Sequence, residues 1–329
     1  MESRELNPAD ISVGVVGIGL MGSSIVVALL SSGHQVKAIA PIPADLEGAR
    51  DRITEQLKAC LKAGLMNEEV YVCLERLEIS EDYKDLRTCS LVLECVIEDP
   101  DIKAVVYQKI TDVVSADTVI ASNTSAITIT ALQRLVVQPE RFIGIHWAEP
   151  AYATRFMEIT CGEDTDRKHA DWVFNLAHHW RKEPTLLKKD TRGFITNRLM
   201  YAVYREIFSL IEEGKTTMDD ADKVFRYDVG SWITLMGIFR RIDYIGLKDH
   251  EEIFKNLFPR LSNADHVPAT MQHLVGINAR GIQNLNGLYN YTPKEAKEWE
   301  QAFLAFNEEI FKLAASYPDP IPDIDKALV

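Results

Sequence analysis

The chain has 329 residues, 47% of them apolar and 26% charged, with a formal net charge of −13. That length suits one large or two ordinary domains, and the composition is that of a folded protein with a sizeable core. The acidic balance, with no run of lysine and arginine, argues against DNA or RNA as a partner.

Five cysteines (Cys60, Cys73, Cys89, Cys95 and Cys161) make an odd count with no Cys-x-x-Cys pair. Neither a disulfide framework nor a metal site is expected from them. Residues 1–10 carry acids and no apolar signal core. The apolar run over 13–30 is broken by glycines and serines, so it reads as strand, turn and helix and not as a membrane span. A cytoplasmic location is the default expectation.

Residues 12–16, Ser-Val-Gly-Val-Val, read as a buried parallel strand. Gly17-Ile18-Gly19 makes a turn, 20–32 reads as a helix stopped by Gly33, and 36–40 as the next strand. This is the opening β-α-β of a dinucleotide fold. A charged amphipathic helix follows over 45–63, and further strands are expected at 91–96, 118–121 and 142–146. Alternating strands and helices predict a Rossmann-type, doubly wound α/β domain with a parallel sheet. Beyond about Asp190 strand-like runs are scarce, and helical periodicity returns at 197–213, 218–225 and 297–313. The expected organisation is therefore a dinucleotide-binding domain over 1–189 and an all-helical domain over 190–329, with Lys188-Lys189-Asp190-Thr191-Arg192-Gly193 as the hinge.

Gly17-Ile18-Gly19-Leu20-Met21-Gly22 is a Gly-x-Gly-x-x-Gly run. Alone it is weak, but here it follows a predicted strand and opens a predicted helix, which is the context a dinucleotide needs. Gly17 permits the turn, Gly19 lets the pyrophosphate approach the backbone, and Gly22 lets the helix pack on the sheet. The helix N-terminus, beginning at Leu20 and Met21, offers amide donors to the phosphates. The acid that usually ends the second strand and grips the adenine ribose is missing. The chain reads Ala40-Pro41-Ile42-Pro43 there, with no arginine for a 2′-phosphate either. NAD is the expected cofactor, and the absence of that acid leaves NADP open.

Four further stretches carry chemistry. Ala121-Ser122-Asn123-Thr124-Ser125 follows a strand, Arg141-Phe142-Ile143-Gly144-Ile145-His146 precedes a Pro150 loop, and Glu158 sits 12 residues after His146. Thr191-Arg192-Gly193-Phe194-Ile195-Thr196-Asn197-Arg198 opens the helical region. With Asp243-Tyr244-Ile245-Gly246-Leu247 and Asn286-Gly287-Leu288-Tyr289-Asn290-Tyr291, the set resembles the 3-hydroxyacyl-CoA dehydrogenase family over residues 12–291. The resemblance implies hydride transfer between a 3-hydroxy acyl substrate and NAD(P), giving the 3-keto product. It also implies a homodimer and a place in fatty-acid metabolism.

By that resemblance His146 is the base and Glu158 its partner, and Ser125 and Asn197 hold the reacting oxygen. Asn123, Glu98 and Lys103 then stand beside the cofactor. The chemistry agrees, because a histidine suits proton transfer in both directions and a carboxylate can hold its imidazolium. Taken singly, His146 could be a structural strand-end residue, and Ser125 or Asn197 a helix cap. The departures from the family concern the substrate. Glu149 stands where the family has Asn, Arg192 where it has Pro, and Gly237-Ile238-Phe239-Arg240 replaces Gly-Pro-Phe-Glu. Arg155, Arg192, Arg240 and Arg241 could clamp a free carboxylate, or each could be a surface ion pair. A CoA thioester and a small hydroxy acid both stay open as substrate. The contrasting reading is a non-catalytic cofactor-binding or structural protein. Trp299, Phe303, Phe306, Ile310 and Leu313 form an apolar helix face that needs a cover, either from this domain or from a second subunit.

Overall fold

The computed structural model describes residues 6–317. Two compact units divide between Thr196 and Asn197. The division falls later than the expected one at residue 190, and the packing gives the reason. Phe194 is buried in the core of the first unit, and the Asp190 carboxylate accepts the Thr130 N–H at 2.7 Å. Both residues are therefore anchored before the chain leaves that unit.

The first unit is built on one eight-stranded sheet in the order β3-β2-β1-β4-β5-β6-β7-β8. Its strands are β1 Ser12–Val16, β2 Gln35–Ile39, β3 Leu77–Ser80, β4 Leu91–Glu94, β5 Val119–Ser122, β6 Phe142–Trp147, β7 Phe156–Cys161 and β8 Glu183–Leu187. The chain reverses its direction of travel across the sheet at β1, which pairs with β2 on one side and β4 on the other. That switch point is where a ligand binds in a doubly wound fold. The register lines up Val16 with Ile39 and Glu94, and Glu94 with Ser122, so these strands finish together at one end of the sheet. The sheet is not wholly parallel as expected, because β7 runs antiparallel to β6. β3, β7 and β8 were not among the strands read from the sequence.

Helix α1, Leu20–Ser31, is buried on every side from Gly22 to Leu30. Its all-round apolar character follows from lying between the sheet and a second helix. That helix, Ala49–Ala63, buries Ile53, Leu57 and Cys60. The continuous helix expected over 45–63 is interrupted at Gly48, which takes a left-handed φ of 64° and leaves a single turn, Pro43–Leu46, before it. The helix Pro100–Thr111 starts cleanly because the Asp99 carboxylate accepts the Asp101 and Ile102 N–H groups and Pro100 needs no partner.

The second unit is helical, with Thr196–Glu212, Met218–Val224, Gly230–Ile245, Leu247–Leu257, Ala269–Gly276 and Pro293–Leu313 as its α-helices. The last begins with a capping box of Thr292 and Glu295. None of the described helices is long and apolar enough to cross a membrane.

A buried aromatic column fixes the loop between β6 and β7. Trp180 Nε1 donates to His34 Nε2 at 2.8 Å, and His34 Nδ1 faces the Ile11 carbonyl at 2.9 Å. This holds His34 as the neutral Nδ1–H tautomer, in keeping with burial pushing its pKa down. Trp147 stacks on Trp180 at 5.3 Å, and the Lys182 ammonium lies 5.1 Å from the Trp147 ring centre. Lys182 also donates to the Ala151 and Thr154 carbonyls, while Ser24 Oγ accepts the Ala151 N–H at 2.6 Å. Residues 148–155 are thus tied to α1 and to the turn before β8.

Burial, with a smaller push from Arg155, drives Lys182 down from 10.5 to about 7. The two carbonyls and the ring oppose that shift by favouring the ammonium. In the unfolded chain the ammonium persists to about pH 10, so the unfolded state binds the extra proton inside this window. Stability from this group is present above 10.5 and lost as pH falls towards 7. Urea unfolding at several pH values should show Lys182→Met becoming more stable than the parent as pH falls through that window, by at most about 1.4 kcal/mol per pH unit. Parallel profiles for the two proteins would show that the lysine is not depressed.

Candidate active site

The glycine turn lies at the switch point. Gly17 has φ 91°, and a Cβ there would meet the Cys95 backbone at 2.9 Å. A Cβ on Gly22 would lie 1.8 Å from the Gly17 carbonyl oxygen. At Gly19, in contrast, an added Cβ meets nothing within 4 Å. The turn is therefore closed on its protein side and open where a diphosphate would approach. Leu20 is exposed and Met21 half-buried at the head of α1, whose first turn carries no acid to compete for its amides. These features fit a dinucleotide phosphate. Ala40 is buried just beyond β2 and donates its N–H to the Ser80 carbonyl at 2.9 Å. No carboxylate stands at that position.

Beside the turn lies a fully buried carboxylate, Glu94. It accepts from Lys103 Nζ at 2.7 and 2.9 Å, Tyr107 Oη at 2.7 Å, Ser122 Oγ at 2.7 Å and the Val96 N–H at 2.7 Å. Burial, reinforced by Glu94, holds the Tyr107 phenol well above its ordinary range, so it stays a donor. Lys103, expected beside the cofactor, is itself buried, with its ammonium committed to Glu94 and 3.5 Å from Glu98 Oε2. Glu98 Oε1 in turn accepts the Ser125 N–H at 2.6 Å and Thr124 Oγ1 at 2.9 Å.

Ser125 then meets His146, with Oγ to Nε2 at 3.1 Å. His146 and Glu158 are direct cross-strand partners in the β6–β7 ladder, a relation that puts side chains on the same face. His146 Nδ1 lies 3.7 Å from Glu158 Oε2, and neither atom has another hydrogen-bond partner. The distance is longer than a hydrogen bond, and such contacts commonly tighten when substrate binds. The other oxygen of Glu158, which is fully buried, accepts the Ile195 N–H at 2.7 Å. Phe156 and Phe194 flank the imidazole at 5.7 and 6.1 Å between ring centres. Asn123 Oδ1 accepts the Trp147 N–H at 3.0 Å and pins the strand next to the histidine.

Ser125, His146, Glu158, Asn123, Glu98 and Lys103 therefore converge at one end of the sheet, over its interior strands. Asn197 belongs to the second unit, in the first turn of Thr196–Glu212. Of the arginines, Arg155 is paired with Glu183 at 3.8 Å, and Arg241 lies over Trp232 at 5.1 Å. Arg192, Arg240 and Glu149 are exposed. Sequence reasoning passed over Tyr107, Ser122, Thr124 and Lys182, and gave Glu94 no role of its own. The available signal for Glu94 was a lone acid ending the apolar run Leu91-Val92-Leu93.

Residues 12–191 match the family described as "3-hydroxyacyl-CoA dehydrogenase, NAD binding domain", and residues 193–291 match "3-hydroxyacyl-CoA dehydrogenase, C-terminal domain". The chain is 31% identical, over 87% of its length and 92% of the relative's, to 5-formyl-3-hydroxy-2-methylpyridine 4-carboxylate 5-dehydrogenase of Mesorhizobium japonicum. A crystal structure of an enzyme of that name, described as an NAD+ dependent dismutase, is similar with a TM-score of 0.87 and 28% identity, covering 93% of this chain and 99% of that one. The structure of (S)-3-hydroxybutyryl-CoA dehydrogenase from Ralstonia eutropha gives a TM-score of 0.71 and 26% identity, covering 85% and 99%.

Gly22→Ala should abolish measurable NADH binding, since the new methyl cannot coexist with the Gly17 carbonyl at 1.8 Å. Fluorescence titration checks this, and an affinity within a few-fold of the parent would mean the turn can relax.

Proposed function

Because the chain belongs to the 3-hydroxyacyl-CoA dehydrogenase family, we propose that the His146 site performs NAD-dependent oxidation of a hydroxyl, or its reverse, on a small molecule bearing a free carboxylate. The observation behind the chemistry is the Ser125–His146–Glu158 array beside the open glycine turn. With Nδ1–H turned to Glu158, the Nε2 lone pair faces Ser125 and can take the substrate hydroxyl proton. Glu158 offsets the imidazolium that results, and Ile195 keeps that carboxylate aimed. Ser125 Oγ holds the reacting oxygen, and Glu98 fixes the Ser125 backbone. Gly17, Gly19, Leu20, Met21 and Gly22 hold the diphosphate, with Glu98 and Asn123 on the catalytic side. NAD, when bound, supplies the hydride acceptor.

The substrate class rests on the likeness to the pyridine carboxylate enzyme, which extends over more of this chain and at a higher TM-score than the likeness to the CoA enzyme. A 3-hydroxyacyl-CoA substrate is the second reading, favoured by the family's own description. A panel of hydroxy- and formyl-carboxylates assayed with NAD against 3-hydroxybutyryl-CoA separates them. The best free carboxylate should exceed the thioester in kcat/KM by about a hundredfold, which is about 2.7 kcal/mol of transition-state discrimination. The reverse order establishes the second reading. On the best substrate, His146→Gln should lower kcat by on the order of a hundredfold or more while leaving the Kd for NADH nearly unchanged. Near-normal kcat would remove the base assignment.

The protein works as a homodimer joined through its helical unit. Among the described residues of that unit, Phe311 is the one buried hydrophobic, while Leu199, Tyr227, Phe239, Trp299, Phe303 and Phe306 are all exposed. A helical unit with so little core of its own depends on a partner, and a two-fold pair of identical faces is the simplest cover. Sedimentation velocity should give twice the monomer mass, and Phe303→Glu with Phe306→Glu should shift it towards monomer. A monomeric parent at micromolar concentration would contradict the dimer.

A further inference from the structure

We propose that Arg52 and Ser23 are positioning residues for the cofactor diphosphate, acting by locking the peptide between Ile18 and Gly19. The inference rests on the cofactor reading above and assigns a role to two residues that no motif marks.

The Ile18 carbonyl accepts Ser23 Oγ–H at 2.8 Å and Arg52 Nη2–H at 2.7 Å. Arg52 Nε donates to Ser23 Oγ at 3.0 Å. The three bonds are mutually consistent, since the hydroxyl gives its proton to the carbonyl and takes one from the guanidinium. Both lone pairs of the carbonyl oxygen are then occupied. A trans peptide sends its N–H opposite to its C=O. With the Ile18 oxygen held against Ser23 and Arg52, the Gly19 N–H is turned the other way. Gly19 is also the position in the turn with open space around it.

The lock matters because of what glycine permits. Gly19 has no Cβ to resist rotation about φ, so a flip of this peptide plane is cheap in backbone terms. A flipped peptide would present a carbonyl oxygen, not an N–H, to an approaching phosphate. Ser23 holds the plane from within α1, and Arg52 holds it from the neighbouring helix Ala49–Ala63. Arg52 is set in place by the adjoining Ile53, which is fully buried in that helix's packed face. Its positive charge at the turn adds to the attraction for an anion.

A structural bolt between two helices would produce the same bonds without any role in binding. Isothermal titration of NADH, ADP and adenosine against the parent, Arg52→Leu, Arg52→Lys and Ser23→Ala separates the two. ADP carries the diphosphate and adenosine does not. In Arg52→Leu the affinity for NADH and ADP should fall about tenfold, the scale of a lost charge-assisted hydrogen bond, while adenosine changes less than about twofold. Arg52→Lys keeps the charge but not the paired geometry, so it should fall between parent and leucine variant. Ser23→Ala should weaken ADP in the same direction and serves as the test if Arg52→Leu does not fold. NADH affinity within about twofold of the parent in every variant, or equal losses for ADP and adenosine, overturns the proposal. A parent protein that binds no NADH overturns the cofactor reading and this proposal with it.

Discussion

The buried carboxylate of Glu94 is the constraint on which the site depends. A carboxylate taken wholly out of water is costly unless its oxygens are filled. Here they are filled by Lys103 and Tyr107 from one helix, Ser122 from the next strand, and the Val96 N–H from its own loop. Removing any one donor leaves a buried charge short of a partner, so these elements are bound to a single arrangement. The consequences run outward. Lys103 is drawn within 3.5 Å of Glu98, Glu98 grips the Ser125 backbone, and Ser125 reaches His146. A polar chain thus connects the switch point of the sheet to the imidazole without passing through solvent-exposed side chains alone.

The other half of the site is fixed by strand direction. A parallel β6–β7 pair would need a crossover of a dozen or more residues. The connection available, 148–155, is too short for that, so β7 turns back and brings Glu158 opposite His146. The buried column of His34, Trp180, Trp147 and Lys182 then keeps that short loop in one conformation. The spacing of His146 and Glu158 in the chain is therefore the length of a hairpin.

Much of this was legible in the sequence where a single residue type forces a local shape. The glycine turn, β1, α1 and β2 follow from Gly17, Gly19 and Gly22 set after an apolar run. The helix broken at Gly48 was readable from that glycine, but the strong amphipathic pattern on its C-terminal side masked it. In β7 Glu158 and Thr160 alternate with Met157, Ile159 and Cys161, a pattern that suits a strand, but Glu158 stood out for its chemistry alone, and the burial of both faces shows only in the fold. Ser125, His146 and Glu158 were legible as a set through the family resemblance. The Glu94 cluster was not, because its donors are joined only once β4 and β5 are known to be neighbours.

Charge explains why local preorganisation carries so much weight at the cofactor site. The chain has a net charge of −13, yet an adenine dinucleotide is itself an anion. Beyond a Debye length of about 8 Å the overall repulsion is screened at physiological salt, so it slows approach only modestly. Binding must then come from donors within contact distance. The head of α1 has no carboxylate in its first turn, and Arg52 brings a guanidinium to the same place. Amides at a helix start are weak partners singly, and their value depends on all pointing one way before the ligand arrives. A turn rich in glycine is the least able to guarantee that by itself. The freedom that lets the phosphate approach the backbone is the same freedom that would let a peptide flip, and side chains from outside the motif remove it.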